Sequence, residues 1–310
     1  MSFAMPVSAV TSRPIWAVAT CGARALRVVR QARHGAVRAI FERSVLIELD
    51  SGFVCIGDRR IGDGPLNCLL PDPWWFRHMP SIGAVVLPTS GGMRIDGGPE
   101  LVFASAQEWS QPPWAAVPDR PALEKRLRDL TELIRLRAPN DGLARIAFDI
   151  GDSDSPLSRR AMQGCDTLRR ALDPATSPSD TDEAVAALLG LGPGLTPSGD
   201  DLLAGCATTL FALGETNRAA MLAASIARHA PQLTSPYSAA LLAAAADGEV
   251  SAYWHDALTS ILSPRPLDHA HLTPLIDGFG HTSGWDMLAG ATIALQSVVG
   301  TTAAHHQGKT

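Results

Sequence analysis

The chain has 310 residues, 46% hydrophobic and 18% charged, with a net charge of −5, a pI near 6.0 and a mean hydropathy of +0.08. That length suits two domains, and the balance excludes a largely disordered chain. A binder of nucleic acid would carry a basic surplus, which is missing here.

Five cysteines, at 21, 55, 68, 165 and 206, are odd in number and form no Cys-x-x-Cys pair. Neither a disulfide framework nor a zinc ribbon is expected, and a reducing, cytoplasmic setting fits. The weakly apolar stretch from Ile15 to Thr20 follows Pro14 and precedes Arg24, Arg27 and Arg30. It reads as neither a signal peptide nor a membrane span.

In chain order, Ala23 to Arg33 predicts a short basic helix. The runs Val37–Phe41, Val45–Leu49 and Phe53–Ile56 predict strands, the last two joined by the turn Asp50-Ser51-Gly52. Gly64-Pro65-Leu66-Asn67 reads as a turn, and Trp74-Trp75-Phe76 as core or interface. A second strand cluster, Ala84–Leu87, Met93–Ile95 and Leu101–Ala104, is divided by Ser90-Gly91-Gly92 and Gly97-Gly98-Pro99. Short strands with glycine turns predict an antiparallel barrel-like or sandwich-like domain. Gln111-Pro112-Pro113 and Pro118 mark a linker. Beyond it Leu123, Leu127, Leu130 and Ile134 take helical spacing behind the N-cap candidate Asp119. Alanine-rich helical patterns follow near 157–172, 181–189, 200–213, 216–229, 236–246, 250–262 and 284–299, with a frayed tail after Thr302. The fold class is therefore α+β, with a β-rich domain over 1–118 and an all-α bundle over 119–310.

The segment from Gly190 to Asp201, Gly-Leu-Gly-Pro-Gly-Leu-Thr-Pro-Ser-Gly-Asp-Asp, holds four glycines and two prolines in twelve residues between two apolar helices. Gly192, Gly194 and Gly199 allow close backbone approach. Thr196 and Ser198 offer hydroxyls, and the positive end of the following helix favours an anion. No lysine follows, so it is not a Walker loop. Asp200 and Asp201 are candidates for catalysis or for holding Mg²⁺. Equally, Ser198 is a plain helix cap with acidic residues in the first turn. Ser283-Gly284-Trp285-Asp286-Met287-Leu288-Ala289-Gly290 repeats the octet that starts at Ser198 in six of eight positions. Both stretches are thus helix starts, expected to share one pocket, with Ser198 and Ser283 within about 20 Å of each other. His281, Thr282, Ser283 and Gly284 would add the second wall, with His281 the candidate acid or base. One aspartate of the 200–201 pair should brace the neighbouring loop and the other face the pocket. Thr234 and Ser238 are further ligand or cap candidates. His269-x-His271 is a poor metal motif, and no Gly-x-Ser-x-Gly elbow supports a common hydrolase.

The stretch Gly190 to Gly205 resembles the signature of a bacterial family that includes the AllH-type subunits of oxamate carbamoyltransferase, of anaerobic allantoin breakdown. The likeness takes in Gly64-Pro65, Thr234-x-x-x-Ser238 and His281-Thr-Ser-Gly284, over roughly 35–300. It implies a subunit that works with an FdrA-like protein and another partner. Together they would move a carbamoyl group between oxalurate or oxamate and phosphate. A non-catalytic ligand-binding or scaffolding subunit, and a stand-alone Mg²⁺-dependent enzyme acting on a phosphate ester or acyl phosphate, are the other readings. No nucleic-acid or membrane partner is expected.

Overall fold

A computed structural model describes residues 14–71, 79–114, 117–150, 155–173 and 176–307, with side chains as far as Gly300. The Trp74-Trp75-Phe76 cluster and the side chains of His305 and His306 lie outside the described residues. The chain divides into two compact units between Trp109 and Ser110.

The first unit holds β1 (Ile15–Ala17), β2 (Thr20–Gly22), α1 (Ala23–Gln31), β3 (Gly35–Ile40), β4 (Ser44–Leu49) and β5 (Gly52–Asp58). It continues with β6 (Asn67–Leu70), β7 (Val85–Thr89), β8 (Gly92–Ile95), β9 (Glu100–Val102) and β10 (Gln107–Trp109). They form one ten-stranded sheet in the order β1-β9-β8-β7-β3-β4-β5-β6-β2-β10. The predicted hairpins are present: β4 pairs antiparallel with β5 across Asp50 and Ser51, and β7, β8 and β9 pair antiparallel in succession. Val37, Val45, Ile47, Val54, Ile56, Val86, Met93, Ile95 and Leu101 bury their side chains in one cluster, which also takes Ala25 and Leu26 of α1.

The expectation of an antiparallel barrel-like or sandwich-like domain holds in part. The sheet is mixed, because β5–β6, β1–β9 and β2–β10 are parallel pairs. Strands β1, β2 and β10 are three residues each, too short to show alternation in sequence, and they take outer places in the sheet order. The cysteine reading is corrected. Cys21 and Cys68 stand opposite each other in the β2–β6 register and are paired as a disulfide. Their 47-residue separation hides a pairing that strand register creates.

The second unit is helical: α2 (Arg120–Arg137), α3 (Pro156–Ala171), α4 (Pro178–Leu188), α5 (Ser198–Ala212), α6 (Thr216–Leu233), α7 (Pro236–Ala246), α8 (Ala252–Ile261), α9 (His269–Asp277) and α10 (Ser283–Gln307). Asp119 caps α2 through the Ala122 N–H at 3.0 Å. Ser-Pro pairs open α3, α4 and α7, the serine at the cap and the proline in the first turn, where its missing N–H costs nothing. Helix α9 is absent from the sequence reading because Pro274 interrupts its short apolar pattern, yet Leu272 and Ile276 are fully buried. The tail read as frayed continues α10 to Gln307. No helix among the described residues is long and apolar enough to cross a membrane.

Helices α5 and α10 are apolar nearly all round, as central helices must be. They pack on each other more extensively than any other pair of elements. A Cβ added at Gly205 would overlap the Met287 carbonyl oxygen, and one at Gly290 would overlap the Leu202 carbonyl oxygen. Gly205 and Gly290 are equivalent positions of the repeated octet, as are Leu202 and Met287. The two helices therefore meet backbone to backbone about a local two-fold relation, running in the same direction.

Gly205→Ala should part these helices and cost at least about 2 kcal/mol, by analogy with overpacked cores. Gly300→Ala, on α10 with open space around it, should stabilise by up to about 1 kcal/mol. Urea unfolding followed by circular dichroism separates the two outcomes.

Candidate functional site at two helix starts

The glycine loop runs from the end of α4 into α5. Gly190, Gly192 and Gly194 all have positive φ, at 69°, 112° and 99°, which a side chain would strain. The loop tip, Pro193 to Leu195, is exposed, and nothing crowds Gly194 closer than 4.0 Å. Gly199 and Gly284 serve packing instead of ligand approach. A Cβ at Gly199 would overlap the Leu188 carbonyl oxygen at the end of α4, and one at Gly284 the Ile276 carbonyl oxygen near the end of α9. The Gly199 N–H is already bonded to the Leu191 carbonyl at 2.9 Å.

The adjacent aspartates point to different neighbours. Asp200 accepts from the Gly190 N–H at 2.8 Å, from the Ser238 hydroxyl at 2.6 Å and from the Thr234 hydroxyl. It ties the glycine loop to the α6–α7 junction, and Thr234 and Ser238 serve that brace. Asp201 points towards α10. Ser283 and Thr196 lie beside it, their hydroxyls 3.5 Å apart. The two loops do come together. The aspartate pair is not arranged to share a metal, and no group of three or more His, Cys, Asp or Glu side chains among the described residues is placed to hold one.

Ser198 does not cap its own helix. Pro197 occupies the cap position, and the Ser198 side chain lies beside Asp286. The relations are thus crossed: Asp201 of α5 with Ser283 of α10, and Asp286 of α10 with Ser198 of α5. Asp286 also accepts the N–H groups of Leu143 (2.7 Å) and Ala144 (2.9 Å) on one oxygen, Oδ1. Gly142 permits this, since a Cβ there would press on Asp286 and Thr282. His281, read as a candidate acid or base, is exposed at the surface, where its Nε2 lies 3.0 Å from Asp141 Oδ2, next to Gly142. It stands at the rim of the 141–144 loop.

Both buried carboxyls titrate high. Burial is the main cause for Asp201, aided by the Asp286 and Asp200 carboxyls and opposed by the Ser283 and Thr196 hydroxyls. Its pKa stands well above the usual carboxylate value. Burial also pushes Asp286 up, to about 6, held back by Ser198, by the Leu143 and Ala144 N–H groups and by Thr282. Despite these neighbours, Oδ2 of each aspartate is buried without a hydrogen-bond partner. Asp201 keeps part of its surface exposed, whereas Asp286 is fully enclosed. Sequence reasoning passed over Asp286, although it aligns with Asp201 in the repeated octet. The part played by Leu143 and Ala144 is carried by backbone atoms and leaves no signal in side-chain identity.

Residues 188–295 match the family described as oxamate carbamoyltransferase subunit AllH. That stretch of the chain is similar to an AllH-type domain. The matched stretch includes both Ser-Gly helix starts and lies wholly in the helical unit, a narrower span than the 35–300 likeness. Neither the curated proteins nor the solved structures compared with the chain give a match.

A raised carboxyl pKa in the folded state means that charging the group costs stability as pH climbs. For Asp286 the penalty is absent below the ordinary value of 3.8 and complete above about 6. Asp286→Asn keeps an acceptor for Leu143 and Ala144. Relative to the parent it should gain up to about 3 kcal/mol at pH 7, and the gain should vanish near pH 4. Urea unfolding of both proteins across pH 4–7 measures this difference.

Proposed function

We propose that the chain is a subunit of a carbamoyl-transferring complex and binds a small anionic substrate where α5 and α10 begin. The observation that carries this reading is the crossed arrangement of Asp201 with Ser283 and Asp286 with Ser198. It holds two helix N-termini side by side, so that their positive dipole ends reinforce each other at one place. Thr196, Ser198, Thr282 and Ser283 line that place, their hydroxyls turned to Asp201 and Asp286. Negative charge that develops on phosphate or on a carbamoyl oxygen during transfer is stabilised by such helix N-termini. Direct transfer between positioned ligands is the simplest chemistry here.

A second reading, a ligand-binding or scaffolding subunit with catalysis carried by an FdrA-like or other partner, draws on the cysteines. Burial pushes Cys165 and Cys206 up to about 12, so both remain thiols and poor nucleophiles. The stand-alone Mg²⁺ enzyme is the weakest reading, because Asp200 is engaged by three donors of its own chain.

Thermal unfolding with phosphate, carbamoyl phosphate, oxamate and oxalurate tests the proposal. A true ligand at 100 times its Kd stabilises by about 2.7 kcal/mol. That corresponds to a rise in Tm of roughly 4 °C for a chain of this size. Gly194→Val, which places a branched side chain at φ 99°, should abolish the shift without unfolding the β unit. No shift with any of the four overturns the proposal. Transfer by the isolated chain supports a catalytic subunit; transfer only with partners supports the second reading.

A further inference from the structure

The repeated helix starts are equivalent in sequence but not in what completes them. At the second start, Asp286 receives two adjacent N–H groups, from Leu143 and Ala144, on a single oxygen. A loop of the chain itself is laid into that half, admitted by Gly142. At the first start, Asp201 stands in the equivalent position, with the equivalent crossed serine, and among the described residues no backbone N–H reaches its Oδ2. Its Oδ2 is buried and without a partner. As a residue Asp201 is partly exposed, whereas Asp286 is fully enclosed. The charges that bear most on it are the carboxylates Asp286 and Asp200.

We propose that Asp201 receives an N–H group of the ligand, a planar carboxamide, carbamoyl or ureido group, where Asp286 receives the N–H groups of Leu143 and Ala144. This rests on the reading of the helix starts as a ligand site and adds a residue that sets specificity. A bare anion meets repulsion at Asp201, whereas a molecule with an NH₂ on a carbonyl carbon and an anionic group nearby satisfies both parts of the site. The NH₂ lies on Asp201, and the anion lies towards the hydroxyls and dipole ends. A buried acceptor left without its donor costs as much as a lost charged hydrogen bond, so the preference is large.

Three molecules of one shape provide the test: oxamate, pyruvate with a methyl in place of the amino group, and oxalate with a charged oxygen there. Titration calorimetry on the full chain should show oxamate binding at least roughly tenfold more tightly than pyruvate, and oxalate no better than pyruvate. Oxamate binding should release protons and weaken on acidification, since the N–H donor draws Asp201 into its charged form. Both measurements use the parent and need no variant. In Asp201→Asn, whose amide brings its own N–H donors, the oxamate preference should collapse and oxalate should gain. Equal affinity of oxamate and pyruvate in the parent overturns the inference, as does an unchanged ranking in Asp201→Asn. Tightening of oxalate by Mg²⁺ in the parent but not in Asp201→Asn also overturns it, in favour of a cation at Asp201. Phosphate and oxalate binding without an oxamate preference leaves the anion site standing and removes only this inference. Silence of all three probes together with phosphate removes both.

Discussion

The contact of α5 with α10 through Gly205 and Gly290 is the constraint on which the helical unit depends. Two backbones touching at carbonyl oxygens leave no room for a side chain at either position. The contact fixes the relative height of the helices as well as their distance. Moving one helix by a turn would take Asp201 away from Ser283 and Asp286 away from Ser198 together. The same small-residue logic recurs nearly two turns earlier, where Gly199 and Gly284 let each helix start sit on the end of the helix before it. Four glycines in two octets thus set the depth and phase of both helix starts.

That arrangement carries an electrostatic cost. Parallel helices with adjacent N-termini place like dipole ends together, and burying two carboxyls nearby is costly when they are charged. The two effects oppose each other, since the positive ends favour the carboxylates that burial disfavours. The second half of the repeat is completed by backbone donors from the 141–144 loop, which hold back the rise that burial gives its carboxyl. In the first half burial raises the Asp201 carboxyl too, and among the described residues no backbone N–H reaches its Oδ2. A duplicated unit in which one copy is closed by the chain and the other is left open is a simple route to a ligand site. The closed copy then displays the donors that the open copy lacks.

The glycine loop and its brace form a second layer. Asp200 gathers Gly190, Thr234 and Ser238, so the loop is anchored at its base while its tip from Pro193 to Leu195 stays exposed. Rigid ends with an exposed glycine tip suit a segment that must admit a ligand without losing its place. His281 with Asp141 plays a comparable part at the rim of the closed copy.

Much of this was legible in the sequence. Strand and helix periods separated a β part from a helical part, because side-chain alternation and 3.6-residue spacing are local properties. The octet repeat announced two matched helix starts, because caps, glycines and acidic first turns are also local. Other features depended on which distant segments came to lie together. Parallel strand pairs, the Cys21–Cys68 pairing across 47 residues and helix α9 around Pro274 needed neighbours that no local pattern names. Within the site, Asp200 and Asp201 looked alike as an Asp-Asp pair. Successive residues on a helix point about 100° apart, so one faces the α6–α7 junction and the other α10. Asp286 emerged for the same reason. Its chemistry is set by two backbone N–H groups more than 140 residues away, and backbone atoms are the same at every position in a sequence. The sequence by itself determined the elements and their matched starts; only the tertiary packing decided which of two equivalent aspartates is closed and which is open.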